Sequence, residues 1–260
     1  MSEWHLASAE SQGVGHQESD MPCQDKTYCM ELDDVSVIAL ADGAGSAKLS
    51  HFGAETVVEA ISDLLTNDFD RLYADKEADV AGVILATLLE VLDAKASELD
   101  CQTPHLASTL LAVAVKKGRY IAVHIGDGVI GGLGNTTVEV ISEPDNGELA
   151  NETKFVTSAD AAGRIRLYRN QAKKYSGFVL MSDGSAHSLY DKRERALTKA
   201  VTKLFFACKN ETGERMSELL SEMLDEQLTK RTADDCSIAI MARDRGKLNK
   251  LHAQLYGAAS

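Results

Sequence analysis

With 260 residues and only three prolines, the chain is sized for one large β-rich or α/β domain, and its 44% apolar share supplies a sizeable core. A net charge of −13 argues against nucleic acid or an anionic membrane as the main partner, because phosphate-rich surfaces attract a basic face. No apolar stretch reaches the length needed to span a bilayer, the start at Met1 to His5 lacks the basic and apolar regions of a signal peptide, and five scattered cysteines form no Cys-x-x-Cys pair.

These features lead to the expectation of a cytoplasmic protein with reduced thiols. A single domain is expected over 1–260, with its core at about 8–242 and a tail at 243–260. Residues 35–41 (VSVIALA) form a short β-branched apolar run ending at Asp42-Gly43, which predicts a buried strand. Ser50 is placed to cap a helix, and Ala54, Val57, Val58, Ile61, Leu64 and Leu65 recur at helical spacing. A second helix is predicted over 80–99. Runs at 109–115 and 120–125, parted by Lys117-Gly118, predict an antiparallel hairpin. Strands are expected at 136–141, 164–168 and 178–181, with a polar, turn-rich stretch at 143–151. Helices follow at 192–206 and 215–229, and a last strong strand at 236–241. Strands do not alternate one-for-one with helices, so a doubly wound parallel sheet fits poorly. An antiparallel sandwich covered by helices on both sides fits better.

Four aspartate motifs sit at the ends of these apolar runs: Asp42-Gly43-Ala44-Gly45, Gly126-Asp127-Gly128, Ser182-Asp183-Gly184 and Asp234-Asp235. Any one alone is a turn, with the carboxylate accepting a local hydrogen bond. Repeated at strand ends from distant parts of the chain, they predict carboxylates converging on metal ions. Hard cations such as magnesium and manganese take oxygen ligands of this kind. Competing motifs fail. No Gly-Lys-Ser/Thr follows Gly45, and Lys48 stands where a dinucleotide fingerprint needs its third glycine. No Gly-x-Ser-x-Gly elbow supports a serine hydrolase.

Taken together, Gln24-Asp25, VIALADGAGSA (37–47), AST (107–109), HIGDG (124–128), VLMSDG (179–184) and DDCSIAIM (234–241) resemble the metal-dependent protein phosphatases of type 2C in their bacterial form. The pieces occur in the family's order over nearly the whole chain. The resemblance implies an α+β, four-layer αββα sandwich: two antiparallel β-sheets flanked by helix pairs, with a dimetal centre at one end. It implies two Mg²⁺ or Mn²⁺ ions, with a weaker third, and hydrolysis of phosphoserine or phosphothreonine by a metal-activated water. Carried over by position, Asp42 bridges the ions and Gly43 lends its carbonyl. Asp183 and Asp234 serve the second ion, and Asp127 with Asp183 the third. Asp25 orders water from behind the ligands. Asp235, where many relatives have Asn, is the lesser ligand of its pair.

Three positions depart from the family pattern. Ala44 stands where relatives often carry a histidine proposed as general acid, leaving that task to water, His51 or His187. His16 occupies the region of a phosphate-clamping arginine and would clamp less strongly, being only partly protonated at neutral pH. Gln24 replaces a glutamate. Segment 143–176 corresponds to a mobile flap in relatives. Its Arg164, Arg166, Arg169, Lys173 and Lys174 read either as a solvated surface or as a recognition face for an acidic phosphopeptide. The expected partners are a phosphorylated protein, and a serine/threonine kinase or its target, with neither nucleic acid nor membrane; a monomer is expected. Two rivals remain open at this point: a non-catalytic phosphoprotein-binding module on the same fold, and a phosphatase of small phosphate esters.

Overall fold

The structure, a computed structural model, describes residues 4–134, 137–145 and 153–243. The chain opens with β1 (His5–Ser11), the short α1 (Val14–Glu18), β2 (Asp25–Leu32) and β3 (Val35–Asp42). Three helices follow, α2 (Ser50–Asn67), α3 (Phe69–Ala74) and α4 (Glu77–Glu98). Next come β4 (Leu110–Lys116), β5 (Arg119–Ile125), β6 (Val129–Leu133) and β7 (Val138–Ser142). After α5 (Ala161–Arg164) come β8 (Arg166–Gln171), β9 (Gly177–Met181), α6 (Asp183–Leu189) and a small hairpin, β10 (Tyr190–Asp191) and β11 (Ala196–Leu197). The helices α7 (Lys199–Asn210) and α8 (Gly213–Met223) lead into β12 (Cys236–Ala242).

Two five-stranded sheets result, ordered β1-β12-β9-β6-β7 and β2-β3-β4-β5-β8, and every pair within them is antiparallel. Their inner faces meet through Ile38, Leu40, Leu111, Val113, Phe178, Leu180 and Met241. The outer face of the second sheet packs Val37, Ala39, Ala112 and Val123 against α2 and α4. The outer face of the first packs Val179, Ile238 and Ile240 against α7 and α8. This is the expected αββα layering. It explains why the central strands read as unbroken apolar runs although they are antiparallel: each is covered on both faces, so alternation has nothing to encode.

The predicted strands and helices are present, with shifted ends. The helix expected at 192–206 begins only at Lys199. Asp191 Oδ1 accepts the backbone N–H of Arg193 at 2.8 Å and of Glu194 at 3.1 Å, and this Asx-type turn closes the β10–β11 hairpin instead. The helix expected at 215–229 runs regularly to Met223 and ends in a π-helical turn at Leu224–Leu228. The strand expected at 164–168 lies at Arg166–Gln171, because Arg164 closes α5. Of the stretch 143–151, residues 146–151 lie outside the described residues, as do residue 136 and tail residues 244–260.

Candidate metal centre and active site

The sheet register gathers the acids at one end of the sandwich. Asp25, the first residue of β2, is paired directly with Asp42, the last of β3. Asp127 follows the end of β5, and Asp183 follows the end of β9. β12 runs antiparallel to β9, so Asp234 and Asp235, just before its start, reach the same end. Asp42, Asp127 and Asp183 each offer a carboxylate oxygen within 4.8 Å of the others. With Asp234 they line one cleft, whose walls include Gln24, Gly43, Ala44, Gly45, Thr109, Thr153 and Phe155.

The segment AST has a mechanical task. Asp42 N–H donates to Thr109 Oγ1 at 2.9 Å, and Thr109 N–H donates to the Asp42 carbonyl at 2.8 Å. Ala44 N–H donates to the Ala107 carbonyl at 2.9 Å. The turn carrying Asp42 is therefore stitched to the start of β4. Gly126, at φ +114°, presses against the same threonine: an added Cβ would lie 2.6 Å from Thr109 Cγ2. Only glycine fits both the left-handed backbone and that approach. Thr153 donates to Asp127 Oδ2 at 2.7 Å, a partner that no motif announced.

Packing several carboxylates together without a counter-charge raises their affinity for protons. Burial, followed by the charges of Asp25, Asp183, Asp234 and Asp127, holds Asp42 well above the usual carboxylate range. Burial pushes Asp183 up to about 6, with Asp234 and Asp127 adding to the effect. Burial likewise raises Asp234. Asp25 is fully buried and pushed up to about 8, chiefly by desolvation. Both Asp25 oxygens and Asp183 Oδ1 are buried without a hydrogen-bond partner. Native interiors rarely leave such atoms unmatched. An all-oxygen donor set with unmatched carboxylate atoms fits hard divalent cations such as Mg²⁺ or Mn²⁺.

Not every expected site residue joins the cleft. Asp235, expected as a metal ligand, is buried and spends its carboxylate elsewhere. Oδ1 accepts Gly13 N–H at 2.7 Å and Oδ2 accepts Gln24 N–H at 2.6 Å. His16, expected at a phosphate, instead sets Nδ1 2.8 Å from Asp235 Oδ2. Neither side chain lines the acidic cleft, and His51 and His187 do not line it either. The basic residues of 143–176 are largely occupied. Arg166 lies against His124. Arg169 donates to the carbonyls of Leu72, Tyr73 and Asp75 at the end of α3. Arg164 pairs with Asp160, and Lys174 with Glu139. This favours the strip as ordinary protein surface over a recognition face for acidic peptides.

A four-layer sandwich with an oxygen-lined acidic cleft at one end defines a metal-dependent hydrolase. Residues 12–225 match the family described as protein phosphatase 2C. A curated relative, serine/threonine-protein phosphatase 3 of Escherichia coli (strain K12), is 25% identical over 248 residues, covering 91% of this chain and 97% of its own. Among solved structures, the S. agalactiae serine/threonine phosphatase superposes with a TM-score of 0.64 at 18% identity, over 93% of this chain and 100% of that one. The catalytic domain of the serine/threonine phosphatase PstP, in complex with two manganese ions, gives 0.62 at 16% identity over 92% and 98%. The chain belongs to the protein phosphatase 2C family, the metal-dependent serine/threonine phosphatases.

Proposed function

We propose that the chain hydrolyses phosphoserine and phosphothreonine in a protein substrate, with Mg²⁺ or Mn²⁺ held by Asp42, Asp127, Asp183, Asp234 and the Gly43 carbonyl. The observation that carries this reading is the meeting of Asp42, Asp127 and Asp183 oxygens within 4.8 Å in a chain of this family. The bound ions supply charge that offsets the phosphoryl oxygens and lower the pKa of water. Asp42, tied at its backbone to Thr109, would help hold the ions through a pre-positioned carboxylate. Asp25 does not itself line the cleft; paired across the strands with Asp42 and carrying two unmatched oxygens, it would order water from outside the cleft wall. Thr153 sets the rotamer of Asp127. Asp235 and His16 act as a brace that holds the Gly13 and Gln24 backbones against the start of β12. Ala44 offers no proton, and no histidine among the described residues lines the cleft, so the leaving group takes its proton from water.

The cleft encloses about 150 Å³. Pockets that swallow whole small ligands run to roughly 300–1,000 Å³. A phosphoryl group fits, and the rest of the substrate lies on the surface outside, which favours a phosphoprotein over an enclosed small ester. We place the protein opposite a serine/threonine kinase in the cytoplasm. No described helix is long and apolar enough to cross a membrane, in keeping with that setting. Val14, Leu32 and Leu89 are the large apolar residues exposed among those described, too few to form a sticky patch, which supports a monomer.

Phosphate release from a phosphothreonine peptide tests the reading. Release is expected with Mn²⁺, is abolished by chelator, and falls by at least about 100-fold in Asp42→Asn, in line with losing a charged group aimed at the reacting centre. A folded protein that binds the phosphopeptide but releases nothing with any divalent metal is a binding module instead.

A further inference from the structure

At the end of the sandwich that carries the acids, a polar chain interrupts the apolar layer between the sheets. His124 on β5 is fully buried. Its Nδ1 lies 2.7 Å from Ser142 Oγ on β7, so the contact crosses from one sheet to the other. Tyr168 OH on β8 donates to Ser142 Oγ at 3.1 Å. His124 Nε2 lies 2.9 Å from the Gly126 carbonyl. Arg166, the cross-strand partner of His124, sets one Nη2 3.2 Å from Nδ1 and 3.0 Å from Nε2. Near-equal distances to both ring nitrogens put the guanidinium over the ring face.

A carbonyl only accepts, so Nε2 carries the proton that points at Gly126. Burial, and then the Arg166 charge, oppose a second proton and keep the imidazole neutral. Nδ1 must then accept from Ser142, and Ser142 from Tyr168. The chain runs one way, Tyr168 to Ser142 to His124 to Gly126, and admits one tautomer. What it grips is the peptide that precedes Asp127. The Gly126 carbonyl also accepts Asp145 N–H at 3.0 Å, and Gly126 sits at φ +114°. Glycine alone does not choose that conformation, because it visits many others as readily. Turning this peptide would break both bonds and swing the Asp127 carboxylate away from Asp42 and Asp183.

We propose that His124 is a positioning residue for Asp127: it donates Nε2–H to the Gly126 carbonyl and thereby aims the Asp127 carboxylate at its metal. This rests on the proposed reading of Asp127 as a metal-holding acid. His124 touches neither substrate nor ion. It ties both sheets to the one acid whose strand ends in an otherwise permissive Gly-Asp-Gly turn.

Two measurements test it. Nitrogen-15 NMR of the metal-free protein is expected to show His124 as the Nε2–H tautomer. Mn²⁺ titration by calorimetry compares the wild type with His124→Phe, His124→Gln and Asp127→Ala. His124→Phe is expected to weaken the Mn²⁺ site that Asp127 serves roughly 10–100-fold, the usual effect of losing a support behind a ligand. His124→Gln, whose amide nitrogen can stand where Nε2 does, is expected to recover most of that loss. An Nδ1–H tautomer, or a His124→Phe isotherm equal to wild type while Asp127→Ala is weakened, overturns the proposal alone. An unchanged Asp127→Ala isotherm overturns the metal reading of Asp127 and this proposal with it. Should His124→Phe not fold, Ser142→Ala takes its place. Mixed tautomers with weaker Mn²⁺ binding support the proposal, and mixed tautomers with the wild-type isotherm overturn it.

Discussion

Asp25 contributes to the pH response of the metal-free protein alongside Asp42, which is raised as well. The Asp25 carboxyl, buried beside Asp42, is pushed up to about 8, first by desolvation and then by the charges of Asp235 and Asp183. A raised acid pKa means that the folded state keeps a proton which the unfolded chain has already released. The stability this lends is whole below the ordinary carboxylate range and is lost as pH rises through about 8. Between pH 7 and 8.5 the loss is about 1 kcal/mol. The Tm of the metal-free wild type is therefore expected to fall over that interval, and the fall to flatten in Asp25→Asn. Mn²⁺ at pH 8.5 restores the Tm, because the ion binds the folded form. Scanning calorimetry at both pH values checks this, and an equal slope in wild type and variant contradicts it. Asp42 stood out in the sequence because it ends an apolar run before Gly43-Ala44-Gly45, and Asp25 only through the family resemblance. The occupation of Asp235 did not: the resemblance ranked it the lesser ligand of its pair, but nothing in Asp234-Asp235 says what its carboxylate holds instead. That depends on Gly13 and Gln24, more than 200 positions away, whose N–H groups claim the Asp235 oxygens.

At the level of elements, the junction of α6 with the entry to β12 brings Asp183 to Asp234. It is as tight as it is because Gly184 has no side chain: a Cβ there would lie 2.1 Å from the Asp235 carbonyl oxygen, a backbone atom that cannot step aside. Gly184→Ala is expected to cost about 1–3 kcal/mol, as overpacking does, and to raise the Mn²⁺ concentration that half-saturates activity. Gly163→Ala, where an added Cβ meets nothing within 4 Å, is the control and should change neither. Thermal melts and Mn²⁺ titrations of the pair separate the outcomes, and wild-type metal dependence in Gly184→Ala would show that the junction does not set the site. The same junction marks where elements were hard to read. All the central strands but β6 were legible, because apolar runs such as LLAVAVK are covered on both faces. β1 was not, since its buried positions include Ala7 and Ala9, which carry little hydrophobic signal. The short α6, with the sequence DGSAHSL, has too few apolar residues for a helical stripe to stand out. The early part of the predicted helix at 192–206 lost to Asp191, whose carboxylate offers the backbone a turn that helix spacing does not reveal.

Across the whole molecule, charge decides which phosphoprotein surfaces approach most readily. The chain carries −13, no basic side chain among the described residues lines the cleft, and the basic residues of the 143–176 strip are engaged internally: Arg164 with Asp160, Arg166 over His124, Arg169 on the carbonyls that end α3, and Lys174 with Glu139. With two divalent ions bound, the charge of the four cleft carboxylates is offset, which leaves a neutralised spot with oxygen-seeking cations in an otherwise acidic surface. The phosphoryl group is drawn to that spot, while the residues around it meet the acidic field. Phosphopeptides flanked by Lys and Arg are therefore expected to be hydrolysed with higher kcat/KM than those flanked by Asp and Glu, by about tenfold at low ionic strength. Exposed charges farther apart than the screening length, about 10 Å at 0.1 M salt, interact weakly. The preference should accordingly shrink to within about twofold at 0.5 M salt, with the change residing in KM and not in kcat, because the field acts on approach and not on the bonds that break. Matched basic and acidic phosphothreonine peptides, assayed at two salt concentrations with Mn²⁺ held saturating, decide the matter. A preference for the acidic peptide, or one that salt leaves untouched, would mean that a local pocket and not the molecule's overall charge selects the substrate.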